Sequence, residues 1–164
     1  MNPLISIVLC CHNDETGIHT TLQALEHQTM ANEKFEVIVV DNASQPSLNK
    51  FVTKFSTNSS LIIRYIFEKR LGLSIARNTG VNLAKSKFIA VTDPENIPDP
   101  RWLENIYETF ENNPDTVFIG GKLINNVNGK IPWFFPENLI EYFTPVKWPT
   151  KLVPIAYPYF AAGK

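Results

Sequence analysis

The sequence predicts an α/β fold with a mostly parallel central sheet and helices on both faces. Short apolar runs rich in β-branched residues alternate along the chain with stretches whose apolar residues recur at helical spacing. The apolar runs lack the polar alternation of a half-exposed strand, and strands buried on both faces are typical of parallel sheets. Parallel strands joined by helices need crossover connections, which place helices against the faces of the sheet.

The first strand is predicted over residues 4–11, a nearly unbroken β-rich run. A polar loop follows, and Ile18, Leu22 and Leu25 then recur at the spacing of one helix face. Residues 35–40 are again apolar and β-rich, and they predict the second strand.

The second helix is predicted from Leu48, Phe51 and Phe55, which lie on one helix face. Residues 61–67 then predict the third strand. Arg64 lies in the middle of this run, and a charged residue there indicates an edge strand or the end of a strand.

A helix of small residues is predicted over residues 73–85, and a short buried strand over residues 88–91. Asp99 and Pro100 then mark a helix start, because aspartate caps the N–H groups of a first turn and proline fits its first position. After this fourth helix, residues 116–123 predict a fifth strand.

Composition changes near the end of the chain. Residues 132–164 hold six of the 12 prolines and nine of the 19 aromatic residues, so this stretch is neither a continuous helix nor a flexible linker. We expect residues 1–123 to form the α/β core and residues 124–164 to be an ordered, irregular segment of the same domain. The chain ends without a helix cap or a polar tail, and we expect it to be truncated.

The bulk composition excludes several classes of partner. The net charge is −1 and the isoelectric point is near 6.3, so the sequence lacks the excess of basic residues that is typical of nucleic-acid-binding proteins. No apolar run approaches the roughly 20 residues of a membrane span, and the N-terminus lacks the features of a signal peptide. The two cysteines are adjacent and have no third cysteine to pair with. We therefore expect a cytoplasmic protein without a transmembrane segment, either free or peripheral at the inner face of the membrane.

Polar residues gather where the predicted strands end, which is the edge at which α/β sheets bind ligands. Asn13 and Asp41 follow the first two strands, and Asp93 and Glu95 follow the fourth. In an extended segment, residues two apart point to the same side, and Pro94 favours that geometry for Asp93. Two carboxylates aimed at one point suit Mg²⁺ or Mn²⁺ that also holds substrate phosphates. The alternative is a solvated acidic loop.

Four segments resemble, in order and spacing, those of the family-2 glycosyltransferases. They are residues 6–13 (SIVLCCHN), 39–44 (VVDNAS), 72–80 (GLSIARNTG) and 93–103 (DPENIPDPRWL). The resemblance covers residues 4–123 and implies a GT-A fold, which is a nucleotide-sugar-binding α/β sandwich. It makes residues 1–123 the nucleotide-sugar-binding core and residues 124–164 the start of the acceptor side.

Carried over position by position, the resemblance assigns a base-binding end to the site. Cys11, His12 and Asn13 match the residues that border the nucleotide base. Asp41 matches the acidic residue that accepts a hydrogen bond from the base or ribose. Two alternatives stay open: His12 as a histidine satisfied within the protein, and Asp41 as a cap of the helix that follows it.

The resemblance also assigns a diphosphate and metal end. Arg77 and Asn78 match the pair near the nucleotide, and the charge of Arg77 suits a diphosphate, although a salt bridge to a neighbour is an alternative for Arg77. Asp93 and Glu95 match the D-x-D motif, which coordinates the divalent cation, Mg²⁺ or Mn²⁺, that is bound to the diphosphate.

The implied reaction is metal-assisted, inverting transfer of a sugar from a UDP- or GDP-sugar to a saccharide or lipid-linked acceptor, in polysaccharide or glycan biosynthesis. Departure of a nucleoside diphosphate needs its charge neutralised, which a cation does as a Lewis acid. The acceptor hydroxyl needs a general base. This family supplies that base after the point matching Lys164, so we expect the chain alone to be inactive.

Two other functions compete with a transferase. The missing base and the altered acidic motif are consistent with a non-catalytic nucleotide- or sugar-binding module. A dinucleotide-dependent oxidoreductase is disfavoured, because no G-x-G-x-x-G motif follows the first strand.

Overall fold

The computed structural model describes residues 2–122 and residue 124. The chain divides into two compact units, Met1–Pro114 and Asp115–Lys164. The described strands and helices lie in the first unit. In chain order they are β1 (Ile5–Cys11), α1 (Glu15–Glu26), a 3₁₀ turn (Asn32–Lys34), β2 (Phe35–Asn42), α2 (Asn49–Asn58), β3 (Ile62–Glu68), α3 (Leu73–Leu83), β4 (Phe88–Thr92) and α4 (Trp102–Asn112).

The four strands form one parallel sheet in the order β3–β2–β1–β4. This confirms the predicted α/β class and the parallel sheet. In the register of the sheet, Cys11 pairs with Asp41, and Asn42 pairs with Glu68. The carboxyl ends of β1, β2 and β3 therefore meet at one edge, as the order of strands and helices predicts.

Helices cover both faces of the sheet, which confirms the prediction of a layered fold. On one face, residues such as Leu9 of β1 pack with Leu22 of α1, Val52 of α2 and Leu103 of α4. On the other face, the alternate residues of β1 and β2 pack with Ala76 of α3. Because successive strand residues point to opposite faces, a strand with helices on both sides must be apolar throughout.

Helix α3 lies very close to the sheet, and Gly80 makes this approach possible. A Cβ atom placed on Gly80 would lie 2.4 Å from Cγ1 of Val8 and 3.1 Å from Cγ2 of Val40. Contacts this short exclude any side chain at this position unless the helix moves away from the sheet. The small residues of α3 thus serve a packing requirement.

A buried acidic residue lies near the amino-terminal ends of the strands. Glu36 is 1% exposed and accepts hydrogen bonds from Ser6 Oγ at 2.7 Å, Lys85 N at 2.9 Å and Arg64 Nη1 at 3.0 Å. Burial alone would raise the pKa of Glu36, but these bonds outweigh it and hold the pKa below its ordinary value. Arg64 lies on β3, an edge strand of the described sheet, as its charge predicts.

The predicted start of the fourth helix is corrected by two residues, since α4 begins at Trp102 and not at Pro100. Asp99 still organises this start, but it does so in a turn that precedes the helix. Its Oδ1 accepts the Arg101 N–H at 2.9 Å and its carbonyl accepts the Trp102 N–H at 2.8 Å.

The predicted fifth strand is wrong over residues 116–122, which have no regular secondary structure. Val117 is 94% exposed and Phe118 is 59% exposed. β-rich composition favours a strand only where a partner strand or a packed face receives it, and residues 2–122 provide neither for these two side chains. Leu123 and the aromatic, proline-rich stretch lie outside the described residues, so the predicted division at residue 123 stays a prediction.

None of the helices within residues 2–122 combines the length and apolar character needed to cross a bilayer.

Candidate functional site

A cleft of about 500 Å³ lies at the carboxyl edge of the sheet. Four of the eight predicted site residues line it, and they are Cys11, His12, Asp93 and Glu95. The segment from Leu71 to Leu73, which leads into α3, also lines the cleft. The predicted convergence of the β1 and β4 ends is therefore present in the structure.

His12 and Asn13 form a hydrogen-bonded pair at the end of β1. His12 Nδ1 lies 2.7 Å from the carbonyl oxygen of Asn42, and His12 Nε2 lies 3.0 Å from Asn13 Nδ2. The Asn13 amide orientation is set by its Oδ1, which accepts the Gln45 N–H at 2.7 Å.

These contacts use both ring nitrogens of His12. A carbonyl oxygen accepts only, so Nδ1 of His12 carries the proton, and Nε2 accepts from the Asn13 amide. Both ring nitrogens of His12 are thus bonded within the protein, as in the alternative of a satisfied histidine. Its ring is exposed and lines the cleft, so the ring face, and not a nitrogen, is available to a ligand.

Asp41 is fully buried, and its carboxylate holds the turn between β2 and α2. Oδ1 accepts the Ser44 N–H at 3.0 Å, and Oδ2 accepts the Leu48 N–H at 2.9 Å and the Tyr65 hydroxyl at 2.6 Å. Leu48 immediately precedes α2, so the capping alternative for Asp41 is realised in the structure. Its predicted contact with a base or ribose stays a prediction.

The electrostatics of Asp41 follow from this environment. Burial alone would raise the pKa of Asp41, but the bonds from Ser44, Tyr65 and Leu48 outweigh it and hold the pKa below its ordinary value. Burial and the bond to this carboxylate raise the pKa of Tyr65 to about 12. The pair is therefore a carboxylate and a protonated phenol at neutral pH.

Asn42, which the sequence reasoning did not select, lines the cleft. Its Nδ2 donates to the carbonyl oxygens of Glu68 at 3.2 Å and Arg70 at 2.7 Å, and its Oδ1 accepts the Gly72 N–H at 2.8 Å. Three bonds from one buried amide hold the loop that connects β3 to α3. Gly72 has φ of +147°, a conformation that glycine adopts without strain.

The same loop is held by an ion pair. Glu68 accepts from the Arg70 guanidinium at 2.8 and 2.9 Å, from the Arg70 N–H at 2.9 Å, and from the Thr79 hydroxyl at 2.7 Å. The Arg70 side chain and backbone, with Thr79, hold the pKa of Glu68 far below its ordinary value. The cleft wall formed by this loop is thus tied to both β2 and α3.

Arg77 and Asp93 form an ion pair beside the cleft, with 2.6 Å between Arg77 Nη2 and Asp93 Oδ1. Arg77 projects from α3 and Asp93 follows β4, so the pair joins α3 to the end of the strand that follows it. The salt-bridge alternative for Arg77 is therefore realised in the structure. Asn78 is exposed on the same helix.

The segment from Asp93 to Asn96 is a turn, which corrects the predicted extended geometry. The Asn96 N–H donates to the Asp93 carbonyl at 3.4 Å, and Glu95 has φ of +69°. Pro94 favours the second position of such a turn. Two hydrogen bonds connect the turn to α1. The Glu95 N–H donates to the Gly17 carbonyl at 3.1 Å, and the Thr21 hydroxyl donates to the Asn96 carbonyl at 2.9 Å.

Asp93 and Glu95 supply a donor set that fits a hard divalent cation. Both are carboxylates and both line the cleft, although the turn, and not an extended strand end, places them there. Residues 2–122 contain no group of three or more His, Cys, Asp or Glu side chains arranged to hold a metal ion. Mg²⁺ in phosphate sites takes one or two carboxylates and completes its coordination with water and phosphate oxygens. The two residues fit that role.

Cys10 and Cys11 both line the cleft, yet they are buried. Cys11 Sγ lies 3.5 Å from the Val40 carbonyl oxygen. Burial, the largest cause in each case, raises the pKa of Cys10 to about 11 and the pKa of Cys11 to about 12. Both are protonated thiols at neutral pH.

We expect both thiols to resist alkylation in the folded chain. The thiolate is the reactive form, and at about pH 8 the Cys10 thiol is almost entirely protonated. Iodoacetamide labelling followed by mass spectrometry should show slow incorporation in the folded chain and rapid incorporation in concentrated urea. Labelling of the folded chain as fast as free glutathione would contradict the burial of these side chains.

The sequence of this chain is similar to those of known proteins. The family described as "Glycosyl transferase family 2" matches residues 6–164. The chain is 27% identical over 135 residues to the glucosyl-dolichyl phosphate glucuronosyltransferase of Haloferax volcanii, covering 81% of this chain and 42% of that protein. It is 33% identical over 147 residues to the hyaluronan synthase of Pasteurella multocida, covering 87% of this chain and 15% of that protein. The chain spans less than half the length of these relatives.

Solved structures share the fold at low sequence identity. TarS of S. aureus, in complex with UDP-GlcNAc, has a TM-score of 0.67 and 20% identity, covering 80% of this chain and 37% of that one. The mannosyltransferase PcManGT of Pyrobaculum calidifontis, in complex with GDP-Man and Mn²⁺, has a TM-score of 0.58 and 22% identity, covering 66% and 32%. Both are GT-A glycosyltransferases, so the predicted GT-A fold is confirmed.

Proposed function

This chain belongs to glycosyltransferase family 2, and from that premise we propose that its cleft binds the nucleoside diphosphate of a sugar donor. The observation that carries the proposal is the meeting of one guanidinium and two carboxylates at the carboxyl edge of the sheet, contributed by Arg77, Asp93 and Glu95. Such a site offers one charge for phosphate oxygens and two carboxylates for a cation.

At the diphosphate end, we assign the cation to Asp93 and Glu95 and a phosphate oxygen to Arg77. The cation, Mg²⁺ or Mn²⁺, supplies Lewis-acid stabilisation of the charge that develops on the leaving diphosphate. The guanidinium of Arg77 adds charge-assisted hydrogen bonds from a helix that packs firmly on the sheet. Asn78, one residue further along α3, is assigned to the donor as the family motif implies.

At the base end, we assign a face of the His12 ring to the nucleotide base, with Cys11 and Asn13 beside it. Both ring nitrogens of His12 are already bonded, whereas the ring is exposed along the cleft. Aromatic rings stack on bases with little dependence on base identity, so this contact supports UDP and GDP alike. Asp41 acts here by holding the β2–α2 turn, and a direct bond to the ligand would add to the three it already accepts.

For the reaction, we propose inverting transfer to a saccharide or lipid-linked acceptor in the synthesis of a polysaccharide or glycan. The relatives support this class of acceptor by name, since one is a hyaluronan synthase and another acts on glucosyl-dolichyl phosphate. Inversion needs a general base opposite the leaving group, and we assign no residue within 2–122 to it. The buried, unpaired thiols support a reducing, cytoplasmic setting.

Calorimetric titration with UDP and with GDP tests the proposal. We expect at least one of them to bind, and to bind about tenfold more tightly with Mn²⁺ than without it, because a cation held by Asp93 and Glu95 would attract the diphosphate. Uridine and guanosine are the matched control ligands, and Mn²⁺ should leave their affinity unchanged. If neither diphosphate binds in either condition, the proposed donor site is wrong.

A further inference from the structure

We propose that the Arg77–Asp93 ion pair is exchanged when the donor binds, which makes binding of the cation and of the nucleoside diphosphate depend on each other. In the ligand-free site each residue neutralises the other. In the loaded site Asp93 turns to the cation and Arg77 turns to the diphosphate. The inference rests on the proposed function and adds to it a positioning role for Arg77 toward a carboxylate of the metal site.

The geometry of the pair is suited to exchange. The two side chains are 2.6 Å apart, and they are 26% and 37% exposed for Arg77 and Asp93 respectively. A pair at this exposure is screened by solvent and contributes only about 1 kcal/mol or less. Separating the two side chains therefore costs little free energy for a ligand that offers an opposite charge to each of them.

A second ion pair in the same region shows the contrast. Glu68 accepts from the guanidinium and backbone of Arg70 and from the Thr79 hydroxyl, and its side chain is only 8% exposed. Removing Arg70 from that carboxylate would leave a nearly buried charge. The Glu68–Arg70 pair is thus a fixed part of the cleft wall, whereas the Arg77–Asp93 pair is accessible.

The backbone on both sides of the exchange is fixed, so only side chains have to move. Arg77 lies on α3, which Ala76 and Gly80 pack against the sheet. The turn that carries Asp93 is bonded to Gly17 and Thr21 of α1. Exchange therefore requires a change of rotamer and no loop closure.

The pair penalises each ligand when it binds alone. A cation must displace Arg77 from Asp93 and then lie near an unscreened guanidinium. A nucleoside diphosphate must draw Arg77 away and then face the negative charges of Asp93 and Glu95. When both bind, every charge acquires an opposite partner, so each ligand raises the affinity of the other by the same factor.

Binding of Mn²⁺ without nucleotide distinguishes exchange from a structural role for Arg77. We expect Arg77→Gln to bind Mn²⁺ alone about fivefold more tightly than the natural chain, because Asp93 no longer has a competing partner. The factor by which UDP or GDP, whichever binds, raises the Mn²⁺ affinity should fall by a similar amount. Electron paramagnetic resonance measures free Mn²⁺ directly in both titrations.

Arg101→Gln is the matched control, since it removes the same charge from an exposed pair with Glu104 that does not line the cleft. Its Mn²⁺ affinity should equal that of the natural chain. If Arg77→Gln binds Mn²⁺ no more tightly than this control while the natural chain binds nucleoside diphosphate, exchange is overturned and the proposed function stands. If the natural chain binds no nucleoside diphosphate, the proposed function itself fails.

The reciprocal variant keeps the test decisive if Arg77→Gln does not fold. Asp93→Asn removes the carboxylate that competes with the diphosphate for Arg77, so UDP or GDP should bind about fivefold more tightly than to the natural chain in the absence of any divalent cation. Equal or weaker metal-free affinity in Asp93→Asn would overturn the exchange.

Discussion

Replacing Asp93 with asparagine should remove most of the roughly tenfold gain in affinity, about 1.4 kcal/mol, that Mn²⁺ gives to the binding of a nucleoside diphosphate. The substitution removes a full negative charge from the proposed metal site while it keeps the size of the side chain. A neutral amide oxygen is a poorer ligand for a hard divalent cation than a carboxylate is. The measurement is calorimetry with UDP or GDP at saturating Mn²⁺, compared with the same titration without metal.

Asp99→Asn is the control for this substitution. Asp99 lies in the same inter-element segment, and its Oδ1 accepts the Arg101 N–H, a bond that an asparagine oxygen also makes. It does not line the cleft, so Asp99→Asn should bind like the natural chain. If Asp93→Asn retains the full Mn²⁺ dependence, Asp93 is not a ligand of the cation, and the role falls to other groups.

The place of this site was predictable from the sequence because parallel topology brings strand ends together. Cys11 and His12 follow β1 and Asp93 follows β4, and the order of apolar runs and helical stretches was enough to assign them to one edge of the sheet. The conformation of the turn from Asp93 to Asn96, which follows β4, was not predictable in the same way. It depends on bonds to Gly17 and Thr21, which a local pattern around Pro94 does not contain.

The choice between Asp41 and Asn42 shows a different limit. A strand buried on both faces has no polar alternation, so its sequence does not reveal which face each residue takes. The structure turns Asp41 toward the β2–α2 turn, while Asn42 lines the cleft and holds the loop before α3. The resemblance of motifs predicts a site role for Asp41, whereas in the structure it is Asn42 that lines the cleft.

Residues 116–122 show where periodicity itself fails. A run of β-formers predicts a strand only as far as a partner or a packed surface is available. The first four strands could be predicted because each is followed by a helix that covers it. Val117 is instead almost fully exposed, and the sequence contains no signal for that difference.

The largest loss of stability is expected from Asp41→Ala, which should lower the free energy of unfolding by about 3 kcal/mol. The substitution leaves two buried backbone N–H groups, those of Ser44 and Leu48, without their acceptor, and it also removes the bond from the Tyr65 hydroxyl. Each buried donor left unsatisfied costs about 1 kcal/mol or more. Urea denaturation followed by circular dichroism measures the change, and Tyr65→Phe, which removes one donor and leaves the carboxylate, should lose only about 1 kcal/mol.

The pH dependence of this loss identifies the charge of Asp41 as its source. The pKa of Asp41 is lower in the folded chain than its ordinary value, so the carboxylate stabilises the fold above the ordinary value. This contribution is lost as the pH falls from about 4 through the lower folded pKa. The difference in unfolding free energy between the natural chain and Asp41→Ala should therefore shrink on acidification, while the smaller loss in Tyr65→Phe should change less. If Asp41→Ala is as stable as the natural chain but no longer binds nucleoside diphosphate, the Asp41 carboxylate binds the ligand and does not stabilise the turn.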